Sequence, residues 1–96
     1  MKNLRMLLDE MTPSEFIRHR AETLGLSQSE VASELELRGI LVSRSSVSMW
    51  LSGRRVPRGP KLNMLCQVLA IYGDTRVELL SRIAVMRGMV GGGGEG

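Results

Sequence analysis

The chain has one cysteine, Cys66, and one histidine, His19, and that scarcity removes several function classes at once. A lone cysteine forms no internal disulfide and no multi-cysteine zinc site, which fits a reducing cytoplasm. A lone imidazole between Arg18 and Arg20 is a poor general base for any of the serines, so a serine hydrolase is not expected. Carboxylate pairs, glycine-rich phosphate loops and metal-ligand spacings are missing as well, and the sequence predicts no enzyme, no cofactor and no metal. With one Phe, one Tyr and one Trp, Trp50 reads as core rather than as a platform for stacking bases. No apolar run approaches the length of a membrane span. The opening MKNLRMLLDE carries Asp9 and Glu10 where a secretion signal would be apolar, so a cytoplasmic protein is expected. Acid is the last absence: from Leu37 to Gly73 there is no Asp or Glu, while Arg38, Arg44, Arg54, Arg55, Arg58 and Lys61 all lie there.

What is present is 96 residues, 43% hydrophobic and 24% charged, the composition of one small globular domain. A core of this size is marginal, and self-association would help it. The net charge of +3 is modest, so placement matters more than the total.

The periodicity is helical throughout. Leu4, Leu7, Leu8 and Met11 share one face of a short N-terminal helix. Thr12-Pro13-Ser14-Glu15 is a second helix start with a capping box and an N-terminal proline, and Phe16, Ile17, Ala21 and Leu24 form its buried face up to a stop at Gly25. Ser27-Gln28-Ser29-Glu30 opens a third helix with Val31, Ala32 and Leu35 inward, running to about Arg38 with Gly39 as its stop. Ile40-Leu41-Val42 is a short apolar connector, read as a loop because no partner strand is in sight. Ser43 or Ser45 caps a fourth helix, which turns Val47, Trp50 and Leu51 one way and Arg44, Ser45, Ser48 and Met49 the other, and Gly53 ends it. A basic loop, RRVPRGPK, leads to a helix burying Leu62, Leu65, Cys66 and Leu69 and closed by Gly73. Asp74 caps a last helix through about Gly88, with Val77, Leu80, Ala84 and Val85 on its apolar side. Residues 1–90 are thus expected to form a single domain and the glycine-rich residues 91–96 a disordered tail. The predicted fold is all-α, a compact bundle of five to six short helices.

Helix, connector and second helix, with short polar side chains opening the second and apolar residues locking the pair, suit the reading of DNA. A helix entering the major groove exposes donors at its N-terminal end and anchors its opposite face. Arg44 is the best single base contact, since a guanidinium there can bind guanine O6 and N7 together.

The segments GLSQSEVASEL, VSRSSVSMWLSG and RRVPRGPKLNMLCQVL resemble the Cro/cI-type (XRE) helix-turn-helix domain, over Phe16 to about Tyr72. The resemblance implies a lambda repressor-like helical fold and a transcription regulator of bacterial or phage type. It places base contacts on Ser43, Arg44, Ser45 and Met49. It places DNA-backbone contacts on Gln28, Ser46, Arg54, Arg55, Arg58 and Lys61, with Gln28 also supporting the second motif helix. The stretch from Leu35 to Val47 is about five residues longer than the family's usual pattern, in which a short turn joins the helices. Leu51 stands where the family often has glutamate.

The function expected is sequence-specific binding of double-stranded DNA by a homodimer, repressing by promoter occlusion on an inverted repeat. The first and last helices exceed the family-like core, so Leu4, Leu7, Leu8, Met11, Val77, Leu80 and Ala84 are the dimerisation candidates. The alternative is a protein-interaction module, an antitoxin or adaptor that binds a protein partner through those terminal helices.

Overall fold

The computed structural model describes residues 3–91, with side-chain environments as far as Met86. Six helices follow one another: α1 (Leu4–Asp9), α2 (Pro13–Thr23), α3 (Gln28–Leu37), α4 (Arg44–Ser52), α5 (Gly59–Val68) and α6 (Gly73–Gly91). The fold is all-helical, and α4 lies against both α2 and α3, α5 against α3, and α1 against α6 and α2.

The helix starts follow from local chemistry. Thr12 Oγ1 accepts from the Glu15 amide at 3.2 Å while the Glu15 carboxylate accepts from the Thr12 amide at 2.9 Å. Ser27 and Glu30 repeat this reciprocal cap at 3.1 and 2.8 Å, and the hydrogen bonds from Ser27 hold the Glu30 carboxyl below its usual range. Ser43, rather than Ser45, caps α4.

One core joins all six helices. Leu8, Phe16, Ile17, Ala21, Val31, Leu35, Val47, Trp50, Leu62, Leu65, Cys66, Leu69, Ile71, Leu79 and Ile83 are buried in it. Burial pushes the Cys66 thiol up to about 11, so it stays protonated and inert at neutral pH. Ile40 and Val42 pack onto this core from the non-helical connector.

Four sequence expectations are corrected. The apolar face of α1 faces inward: Leu8 is fully buried, and Leu4, Leu7 and Met11 are partly buried against the core. On α6 the buried face is Leu79 and Ile83, with Leu80 half-buried, while Val77, Ala84 and Val85 are exposed. Leu24 is exposed because α2 has reached its C-cap there and the chain turns away. Gly73 opens α6 instead of closing α5, whose end is a turn at Leu69 and Ala70, with Ala70 at φ +56° and the Ile71 amide bonded to the Cys66 carbonyl at 2.8 Å. Gly91 is the last residue of α6, and the rest of the expected tail, residues 92–96, lies outside the described residues.

An arginine ties the two ends together. Arg82 on α6 donates through Nη1 to the Leu8 carbonyl at 3.0 Å, through Nη2 to the Asp9 carboxylate, and through Nε to Glu78 at 2.8 Å. Its guanidinium holds both carboxyls below the ordinary range.

Candidate nucleic-acid interface

The division of α4 into two faces begins with its cap. Ser43 Oγ accepts from the Ser46 amide at 3.1 Å and lies 3.2 Å from the Ser46 hydroxyl, to which it donates. One turn on, Val47 and Trp50 are buried and Leu51 is half-buried against the core, so the helix cannot rotate about its axis. Arg44 and Ser45 are left exposed at its N-terminal end. Met49 is half-buried on the following turn. Of the four predicted base contacts, Arg44 and Ser45 therefore have free side chains, Ser43 spends its hydroxyl on the cap, and Met49 presents only part of itself.

The backbone-contact candidates divide in the same way. Gln28 Nε2 donates to Ser48 Oγ at 3.4 Å, a bond from the first turn of α3 to the middle of α4 that fixes the angle between them. Ser46 is half-buried, with its amide and hydroxyl turned toward Ser43. Gly53 takes φ +84°, where a side chain would be strained and its Cβ would sit 3.4 Å from that of Ser14. The resulting turn bonds the Arg54 amide to the Met49 carbonyl at 3.0 Å and launches the basic loop directly from α4. Arg54, Arg55, Arg58 and Lys61 are all exposed, and no ion pair engages them among the described residues.

Arg38, the remaining cation of the acid-free tract, behaves differently. Its guanidinium folds back onto the Glu34 carbonyl and carboxylate at 2.9 and 2.8 Å. Its charge is therefore locally compensated, and the uncompensated positive charge of the tract lies on Arg44 and the basic loop.

Two features lay outside sequence reasoning. Arg18 on α2 is exposed beside a shallow groove where α2, α3 and α4 meet, whose walls include Gln28, Ser48 and Ser52 together with the acidic Glu22. The only signal for it would have been its position in the second turn of α2, which says nothing until the packing angle of α2 on α4 is known. Leu41 is 80% exposed in the connector, between two inward-facing neighbours. His19 is half-buried on α2, and its Nδ1 has no hydrogen-bond partner among the described residues.

No helix among the described residues is long and apolar enough to cross a membrane, and no group of His, Cys, Asp and Glu there could hold a metal ion. No curated protein and no solved structure matches the chain. The model of one family, described as a helix-turn-helix domain, matches residues 14–80, a span running from the start of α2 into α6. With α3 and α4 packed as the motif's helix pair, and in keeping with the Cro/cI-type resemblance of its motif segments, the chain belongs to the helix-turn-helix domain family.

Proposed function

We propose that the protein is a sequence-specific DNA-binding transcription regulator that acts as a homodimer on an inverted repeat and represses by occluding a promoter. The observation that carries this reading is the exposed Arg44-Ser45 end of a helix anchored by Val47 and Trp50 and followed by Arg54, Arg55 and Arg58 on the loop and Lys61 in the first turn of α5, four exposed cations that no ion pair engages among the described residues. A helix end of this kind enters a major groove, where Arg44 can bind guanine through two hydrogen bonds. The loop then neutralises phosphates on either side, and each one neutralised contributes about 0.9 to the slope of log affinity against log salt. Gln28 keeps α3 and α4 at the angle this docking requires. Ser43, Ser46 and Met49 contribute through the helix cap and partial exposure rather than as free side chains.

The exposed α6 face of Val77, Ala84 and Val85 supplies the dimer contact, because the α1 face already belongs to the chain's own core. That same α6 face is what a protein partner would occupy in an antitoxin or adaptor. Selection of bound duplexes from a random DNA pool at near-physiological salt separates the two. The regulator enriches an inverted repeat with half-sites about one helical turn, roughly 34 Å, apart or a multiple of it. A well-folded protein that enriches nothing is instead a partner-binding module.

A further inference from the structure

The connector between α3 and α4 is the part of the motif that departs from a short turn, and it holds an apolar side chain in water. Leu41 is 80% exposed, although Ile40 and Val42 on either side of it pack onto the core. The alternation of inward Ile40, outward Leu41 and inward Val42 is the period of two that a non-helical connector ending in the extended Ser43 allows. It stands two residues before Ser43, the N-cap of α4, and therefore beside exposed Arg44 and Ser45.

A single exposed leucine is unremarkable on a protein surface, so its setting has to supply the argument. The tract around it carries no carboxylate from Leu37 to Gly73, and the nearest exposed charge that follows it is Arg44. That setting attracts a polyanion, and the apolar feature that a DNA major groove presents is the C5-methyl group of thymine. We infer that Leu41 is a specificity-determining residue that packs against a thymine methyl at the edge of the half-site read by Arg44. The lengthened connector thereby adds an apolar reader ahead of the helix. This rests on the proposed entry of α4 into the major groove.

Deoxyuridine differs from thymidine by that methyl alone, which gives a direct test on the duplex recovered by selection. Each thymine of a half-site is replaced in turn by deoxyuridine, and binding is measured for the wild type and for Leu41→Ala. One replacement should weaken the wild type by about fourfold per half-site, the value of one buried methyl group. Leu41→Ala should bind the thymine duplex about that much more weakly and no longer distinguish it from the deoxyuridine duplex, with its thermal midpoint unchanged. A wild type indifferent to every replacement, or a variant that keeps the full preference for thymine, overturns the role of Leu41 and leaves DNA reading by α4 intact. A variant with altered sedimentation and intact thymine preference assigns Leu41 to a protein contact and overturns the role as well. A wild type with no sequence-selective binding removes the DNA reading itself, and the role of Leu41 with it.

Discussion

Arg44 and Arg55 are both exposed arginines without an ion pair among the described residues, yet their positions give them different tasks. Arg44 is the first residue of α4, held there by a cap on one side and buried Val47 on the other, so the helix fixes the direction in which its side chain leaves the backbone. Arg55 sits on the loop after Gly53, where reach matters more than direction. Arg44→Ala should cost roughly 1–3 kcal/mol on the preferred duplex and relax the preference at one base pair. Arg55→Ala should weaken all duplexes alike and lower the salt slope by about one. Titration of both variants against the preferred and a scrambled duplex at several salt concentrations checks this; equal, sequence-blind losses would take base reading away from Arg44. The predicted role of Ser43 shows the limit of residue-by-residue transfer. A serine before a helix can cap it or contact DNA, and here the Ser46 amide and hydroxyl have already engaged its Oγ.

Among the elements, α1 and α6 are joined by Arg82 in addition to their shared core and the Arg5–Glu78 pair at 3.6 Å. α1 has only six residues, too few to be stable alone, and the Leu8 carbonyl at its end accepts from the Arg82 guanidinium at 3.0 Å as well as from the Met11 amide at 3.3 Å. Asp9 and Glu78 both have carboxyls held low by that guanidinium, so each is more acidic in the folded chain than in the unfolded one. Their contribution is fully present above the unfolded value of about 4 and is lost as the pH falls through the folded values. Arg82→Met should therefore lower the thermal midpoint and release α1 to faster amide exchange at neutral pH. The gap from the wild type should hold between about pH 5 and 8 and narrow below about pH 4. A gap unchanged at pH 3 would show that the carbonyl bond and packing, rather than the carboxylates, carry the attachment. None of this was legible in the sequence, where Arg82 is one exposed-looking cation in a helix and its partners Leu8 and Asp9 lie more than seventy residues earlier. The starts of α2 and α3 were legible because capping boxes act over three residues and need no tertiary partner. The α4 faces were legible too, since Val47 and Trp50 share a stripe with nothing apolar competing except Met49. On α6, by contrast, Val77, Leu80, Ala84 and Val85 make as convincing a stripe as Leu79 and Ile83, and only the position of α1 decides which one is buried. The exposure of Leu41 had the same cause, because the direction of an extended residue is set by which neighbours the core takes.

For the molecule as a whole, that unburied stripe on α6 connects shape to function. Five exposed cations that no ion pair engages among the described residues, Arg44, Arg54, Arg55, Arg58 and Lys61, lie on α4, the loop after it and the first turn of α5, while Asp9, Glu34 and Glu78 are paired with Arg5, Arg38 and Arg82. In the proposed function one such surface per chain reads one half-site, and an inverted repeat needs two copies related by a twofold axis. Val77 is 62% exposed and Val85 58% exposed on a face that the chain's own core does not use, so two α6 helices can meet there without unfolding either protomer. Leu79, fully buried on the opposite side, is the internal control. Val77→Asp should keep the folded state, shift the protein to monomer in sedimentation, and weaken binding to the inverted repeat by more than about tenfold while sparing an isolated half-site. Leu79→Asp should instead unfold the chain, because it places a charge in the core without a partner. If Val77→Asp stays dimeric and binds the repeat as the wild type does, the twofold contact lies on another surface and the α6 stripe is left for a different protein.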